Sequence, residues 1–285
     1  MSGFQVHRAT SVVLHGKSQA GGGRNHVVNG CSACGVENPV EAFFSRESQC
    51  WEKRYESRTY RERRALIRDI VGAEALRLQR EPRSIKVLDF GCGTGLLLGE
   101  LAALGLQVTG VDSSKAMIDS ARARLTGSTL IELEWAQNGS WNGTYESRIY
   151  DLVLCVSVLE FVPDVESLLA HLCRLVAPGG LLIVSVPNRR SWLRAIEGFI
   201  HQHPSAFRAF AALDHITTSD SYLNHQIHQW HRSDLLEMLL REGLREEEHR
   251  FHVAPMSICS VAQFEAIGMM LLATFRRPPS APVPT

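Results

Sequence analysis

The sequence predicts an α/β fold organised as a doubly wound, mostly parallel sheet. Two observations carry that expectation. One is the run Val87-Leu88-Asp89-Phe90-Gly91-Cys92-Gly93-Thr94-Gly95, an apolar strand that ends at an aspartate, turns through alternate glycines and feeds into Leu96-Leu97-Leu98. The other is the regular succession of apolar runs and helical patterns that follows it as far as residue 187. A chain of 285 residues suits one large domain with appendages better than two complete domains. The 30 basic and 30 acidic side chains cancel, so the overall balance does not point to a nucleic-acid partner. No apolar run reaches the roughly 18–20 residues that span a bilayer, and the amino-terminal stretch has no signal-peptide core. The 7 cysteines sit mostly in apolar segments, as in a reduced compartment, and the expected location is cytoplasmic.

Residues 1–40 mix glycines, polar residues and scattered histidines without a period and read as a flexible arm ahead of a domain over 41–277. Cys31-x-x-Cys34 is half of a zinc knuckle; Cys50 and His26 would have to complete it, and no metal is assigned. Over 43–80 the pattern is helical, with Trp51, Tyr55, Leu66, Ile67, Ile70 and Val71 as apolar points. Arg54, Arg58, Arg61, Arg63 and Arg64 face Glu52, Glu56 and Glu62, which reads plainly as a solvated face of i,i+4 ion pairs. Glu81-Pro82-Arg83 breaks the helix before a core over 84–187. There the glycine run is a cradle for a nucleotide-like ligand, because glycine lets the backbone approach closely and helix N-terminal N–H groups face outward. The next helix ends at Gly105. The strand Gln107–Val111 then delivers Asp112, and Ser113-Ser114 can cap a helix carrying Ala116, Met117, Ile118 and Ala121. Further strands are expected over Leu130–Trp135, Leu152–Val156 and Leu181–Val186. Between the last two, Pro163-Asp164 opens an amphipathic helix that Ala177-Pro178-Gly179-Gly180 ends. A helix from Trp230 to near Gly243, a final strand over Met269–Phe275 and a disordered proline-rich tail over 278–285 complete the chain.

The glycine spacing selects among nucleotide cradles. A dinucleotide fingerprint needs a third glycine where Leu96 stands, and a Walker loop needs a Gly-Lys-Ser/Thr ending that is absent. Asp89-x-Gly91-x-Gly93-x-Gly95 resembles motif I of the class I S-adenosylmethionine (SAM)-dependent methyltransferases. Asp151-Leu152-Val153-Leu154-Cys155, Leu159-Glu160-Phe161-Val162-Pro163-Asp164 and Pro178-Gly179-Gly180 follow in the order of that family's second half, so the resemblance covers residues 85–187. It implies a seven-stranded Rossmann-like sheet with an antiparallel last strand, SAM as cofactor, and the activity of a SAM-dependent methyltransferase. Carried over residue by residue, it implies that Asp89, Gly91, Cys92, Gly93 and Gly95 hold the methionine and ribose end. Asp112 would take the ribose and Met117 would pack near the adenine, with Ser113, Ala136 and Ser157 completing the site. Such families usually have a short acidic step after strand three, where Glu134-Trp135-Ala136 stands here. Trp135 stacking on the adenine, or Gln137 bonding it, would replace that step. The resemblance also turns helices 43–80 into a lid, with Trp51, Tyr55 and Tyr60 as candidates to reach the methionine end.

Residues 188–235 read as an insertion on the acceptor side, and half of the 12 histidines fall between His201 and His231. The segment from Trp230 to Leu236 resembles the acceptor side of small-molecule O-methyltransferases, including the ubiquinone-pathway type. Methyl transfer is an in-line displacement that gains most from holding nucleophile and methyl together in a water-poor pocket. An oxygen or nitrogen acceptor also loses a proton, for which His215, His225, His228 and His231 are the pool of bases, with Glu160 as an outside option. The ubiquinone-pathway enzymes carry a metal-associated E-x-x-E-H at the end of strand four. Ser157-x-x-Glu160-Phe161 lacks two of those three groups, so neither a metal nor the ubiquinone substrate is inferred. The leading expectation is a cytoplasmic SAM-dependent methyltransferase acting on a small molecule at oxygen or nitrogen. Two others stay open: methylation of a macromolecular, carrier-bound or lipid-linked substrate that the arginines of 54–64 would contact, and a catalytically silent SAM-fold binding subunit.

Overall fold

The computed structural model describes residues 38–137, 143–203, 222–252 and 265–280, with the side chains of 49–55 left aside. The arm with Cys31 and Cys34, the candidate base His215, the side chains of Cys50, Trp51 and Tyr55, and the last residues of the tail lie outside the described residues. Two helices come first, α1 (Pro39–Tyr55) and α2 (Arg58–Arg77). Pro39 and Val40 thus belong to α1 and not to the arm. Asn38 Oδ1 accepts from Val40 N at 3.0 Å, and a proline at the first helical position is already set at helical φ.

The sheet follows as β1 (Lys86–Phe90), α3 (Leu96–Ala102), β2 (Gln107–Asp112), α4 (Lys115–Arg124), β3 (Ile131–Trp135) and β4 (Tyr150–Val156). It continues through α5 (Val165–Leu175), β5 (Val176–Pro187), α6 (Trp192–Gln202), α7 (Arg232–Arg241), β6 (Arg245–His252) and β7 (Met270–Arg276). The strand order is β3-β2-β1-β4-β5-β7-β6. Only β7 runs antiparallel to its neighbours. The sheet is the expected seven-stranded, mostly parallel Rossmann-like one. Its order reverses between β1 and β4, and their carboxyl ends open the crevice in which open α/β sheets bind ligands.

Side chains alternate across the pleat. Leu88, Phe90, Val153, Cys155, Leu182 and Val184 pack on one face against Leu168 and Leu172 of α5 and Leu235 and Leu239 of α7. Val87, Val108, Leu152, Leu154 and Ile183 pack on the other against Ile67 and Val71 of α2 and Leu97, Leu98 and Leu101 of α3. Both faces being covered is why these strands read as unbroken apolar runs.

Two elements differ from expectation. β5 begins at Val176, not at Leu181, because Val176 already pairs with Tyr150. The register then skips from that pair to Leu152↔Leu181, so Ala177–Gly180 loops out of the ladder without ending it. Gly180 is required there: a Cβ would sit 2.7 Å from the Asp151 carbonyl oxygen. β6 has no counterpart among the expected strands. Its Arg-Glu-Glu-Glu-His-Arg-Phe-His sequence is that of an edge strand, charged along its free side and paired to β7 alone.

An ion-pair cluster pins α2 to this edge. Glu74, 6% exposed, accepts from Arg77 at 2.7 Å and from Arg276 of β7 at 2.6 Å, while Arg276 also bonds Glu247 of β6. Burial alone would raise the Glu74 carboxyl, but the two guanidinium groups outweigh it and hold it down at about 2. Glu74→Gln is expected to lower stability at neutral pH by about 2 kcal/mol, less than the roughly 3–5 kcal/mol of a fully enclosed pair. Because the folded-state value is depressed, that contribution is complete above the unfolded carboxyl value, about 4.3, and fades below it. Urea unfolding of both proteins at a series of pH values should therefore show curves that converge as pH falls toward about 2. A difference that stays constant across that window would contradict the assignment.

Candidate functional site

The site is built where β1 and β2 end side by side. Gly91 N and Cys92 N both donate to the carbonyl of Val111, at 2.7 and 3.0 Å, which folds the glycine turn across the end of β2. The next residue of β2, Asp112, then takes both loops in one carboxylate: Oδ2 accepts from Gly93 N at 2.9 Å and Oδ1 from Ser114 N at 2.8 Å. Burial pushes the Asp112 carboxyl up, and these two N–H bonds oppose the shift. Gly91 has φ +79°, and a Cβ there would stand 2.2 Å from Val158 Cγ2, so no side chain can replace it without moving β4's exit. Gly95, at φ +75°, starts α3, and its missing Cβ leaves room for Leu125 and Ala121 at the end of α4. Ser114 caps α4 by accepting from Met117 N at 3.3 Å, and its hydroxyl meets that of Ser45 on α1 at 3.0 Å.

Above these strand ends lies a cavity of about 340 Å³. Gly91, Gly93, Asp112, Ser113, Met117, Ala136 and Ser157 of the expected cofactor set line it. Met117, besides lining the cavity, is core, buried against Phe43 of α1. Ala136 is fixed by donating its N–H to the Asp112 carbonyl at 2.9 Å. Asp89 and Cys92 open instead onto an adjoining hollow of about 50 Å³, with Tyr60 and Arg63 of α2. Burial and the nearby Asp112 push the Asp89 carboxyl up to about 7. Burial, then Asp112 and Asp89, also push the Cys92 thiol well up, so this thiol stays protonated. Gly95 lines neither space and acts through packing. Trp135 lines neither as well; its indole N–H donates to the Ser113 carbonyl at 2.9 Å and steadies the loop after β2, so it does not stack over the cavity. Gln137 is exposed and away from the lining.

The candidate bases separate. His225 stacks on Phe43 with ring centroids 4.5 Å apart. His228 Nε2 pairs with the Val162 carbonyl at 3.1 Å. His231 precedes α7 and faces a separate surface hollow beside Arg190 and His249. None of these three lines the main cavity. Glu160, the outside option, is the candidate base that does line it. Its side chain is 2% exposed, and Oε2 has no hydrogen-bond partner. Burial pushes the carboxyl up to about 7 against the fields of Arg194 and Arg63. Of the lid candidates, Tyr60 lines both spaces. Among the further lining residues that escaped the sequence are Arg63, Arg194 and Gln226. Arg63 stood in a run of ordinary surface arginines. Arg194 and Glu197 at i,i+3 are indistinguishable in sequence from a solvated pair, yet both are buried and 2.7 Å apart.

A family model described as a methyltransferase domain matches residues 59–249. The ubiquinone biosynthesis O-methyltransferases of Yersinia pestis (strain Pestoides F) and Yersinia pseudotuberculosis serotype O:1b (strain IP 31758) are each 40% identical over 116 residues. That stretch is 40% of this chain and 48% of theirs, so the chain spans about half the length of the curated relatives it matches. Among solved structures, magnesium protoporphyrin IX methyltransferase from Synechocystis PCC 6803 with bound S-adenosylhomocysteine gives a TM-score of 0.57 at 18% identity, over 84% of this chain and 98% of that one. The N-methyltransferase NodS from Bradyrhizobium japonicum WM9 gives 0.53 at 18%, over 85% and 100%. At such identity the likeness is one of fold.

Ser157 carries the site's backbone strain. It leaves β4 at φ +56°, its N–H held by the Ser185 carbonyl at 2.9 Å, and its Oγ is buried without a partner. Left-handed backbone costs a side-chain-bearing residue roughly 1–2 kcal/mol. Ser157→Gly is therefore expected to raise stability by about 1 kcal/mol and Ser157→Val to lower it, read from denaturant midpoints at constant m. A glycine variant less stable than the parent would contradict the strain.

Proposed function

The chain belongs to the methyltransferase-domain family, and from that premise we propose that it transfers the methyl group of SAM to an oxygen or nitrogen of a small-molecule acceptor. One observation carries the reading: residues suited to the donor and a buried, unpartnered carboxylate line the same cavity. The residues present fit SAM. Gly91, at positive φ, brings bare backbone to the cavity wall, and Asp112 stands at the end of β2 as an acceptor for two ribose hydroxyls. Met117 and Ala136 give apolar walls for an adenine. Arg63, which makes no ion pair among the described residues, borders both the cavity and the smaller hollow and suits the donor's carboxylate. When bound, SAM supplies an electrophilic sulfonium methyl.

The chain's own residues do the rest. α1 and α2 cover the cavity, and Tyr60 and Phe44 keep water from the acceptor side. Glu160 receives the proton that the acceptor atom loses, a role that needs its ionised form. A cavity of about 340 Å³ supports a small-molecule acceptor. Among the described residues no helix is long and apolar enough to cross a membrane, and Cys92, Cys155 and Cys173 are free thiols, which supports the cytoplasm as the compartment.

Calorimetry of the intact protein should show SAM binding at micromolar affinity; a folded protein giving no heat would overturn the reading. With Glu160 titrating at about 7, turnover should rise as pH increases through that value and then level off. Glu160→Gln should lose about a hundredfold or more in kcat and its pH dependence near neutrality. A variant that keeps the parent's rate and profile would remove Glu160 from the chemistry.

A further inference from the structure

The acceptor end of the cavity is asymmetric in its hydrogen bonding. Of the donors lining it, Arg194 has all three nitrogens engaged inside the protein: Nη1 on Glu197 at 2.7 Å, Nε on the Met269 carbonyl at 3.2 Å and Nη2 on Met270 Sδ at 3.0 Å. The Tyr222 hydroxyl donates to the other Glu197 oxygen at 3.2 Å. Arg194 and Glu197 therefore cancel as a closed pair, and Arg63 sits at the junction with the smaller hollow, on the donor's side. Two acceptor oxygens are in the opposite state. Glu160 Oε2 and Gln226 Oε1, together with the Ser157 hydroxyl, belong to residues that line the cavity, are buried, and have no hydrogen-bond partner among the described residues. A buried polar atom without a partner costs about 1–3 kcal/mol, which a ligand recovers by donating to it. The walls beside Glu160 are aromatic: Phe44 and Phe161 meet edge to face with centroids 5.1 Å apart.

We propose that the methyl acceptor is an amine whose N–H groups are received by Glu160, with its carbon body packed against the Phe44–Phe161 pair. This rests on the reading of the cavity as a joint donor and acceptor site. An anionic phenolate or carboxylate head placed at Glu160 would meet a like-charged carboxylate. An amine head supplies several N–H donors at once, and its positive form is favoured by a carboxylate and by aromatic rings. In the transfer, the bound ammonium first gives one proton to the ionised Glu160 carboxylate, and the lone pair of the resulting neutral amine forms the new N–C bond to the sulfonium methyl. The C–S bond breaks with its electrons remaining on sulfur, and the product nitrogen leaves as a methylammonium.

The test uses an isosteric pair of probes, phenethylamine and phenethyl alcohol, titrated by calorimetry into the intact protein saturated with S-adenosylhomocysteine at neutral pH. The amine is expected to bind at least about tenfold tighter, a difference of about 1.4 kcal/mol. In Glu160→Gln the preference should fall to less than about threefold while the affinity for S-adenosylhomocysteine is unchanged. With methyl-labelled SAM, label should appear on the amine and not on the alcohol. Equal or tighter binding of the alcohol, no binding of the amine, or an amine preference that survives in Glu160→Gln would overturn the proposal. If SAM itself gives no heat, the reading beneath it fails too, so the two failures are distinguishable.

Discussion

One carboxylate holds the donor side of the molecule together. Asp112 lies at the end of β2, beside the end of β1, and accepts from Gly93 in the glycine turn and from Ser114 at the start of α4. A buried carboxylate is costly to keep ionised, as the upward push on its pKa indicates, and charge-assisted bonds from backbone N–H groups offset part of that cost. Both bonds also close geometry: one fixes the turn that must pass close to a ligand, the other fixes the entry of the helix that carries Met117. The positive φ of Gly91, Gly93 and Gly95 makes the turn possible, and Asp112 makes it stay.

The two sides of the cavity are held by different means. On the donor side, backbone geometry does the work, with strand ends, turn glycines and the Ser114 cap leaving little freedom. The acceptor side is made of side chains from α1, α2, α6 and the turn at Tyr222, held by a buried ion pair and aromatic contacts. Removing one member of a buried pair leaves an uncompensated charge, so Arg194 and Glu197 fix where Tyr222 and Met270 stand even though neither is free to bind a ligand. The strained Ser157, between the sides, turns the chain from β4 toward Glu160.

How much of this was legible in the sequence follows the same division. The glycine turn, Asp112 and the strands β1, β2 and β4 could be read because their constraints are local: positive φ requires glycine, and a strand buried on both faces must be apolar. β6 could not, since its one-sided edge position lets it be almost wholly charged. The start of β5 was hidden because Pro178-Gly179-Gly180 looks like a turn, and only pairing of Val176 with Tyr150 across the sheet makes it a loop within a strand. Histidines gathered in the chain were a poor guide to the cavity, because His225 packs on Phe43 and His228 pairs with the Val162 carbonyl. Glu160 was visible as a candidate by its place after β4. Its isolation from any partner was not, because that depends on where α6 and the Tyr222 turn come to rest.

The most direct measurement is SAM binding by calorimetry to Asp112→Asn, paired with its unfolding curve. The amide keeps the size of the carboxylate but turns an NH2 toward one of the two backbone N–H donors, so the fold should persist with stability lower by about 1–3 kcal/mol. SAM affinity should fall by about a hundredfold or more, about 2.7 kcal/mol, through loss of the charged acceptor for the ribose hydroxyls. Affinity within about threefold of the parent in a folded variant would contradict the central place of Asp112 in the donor site.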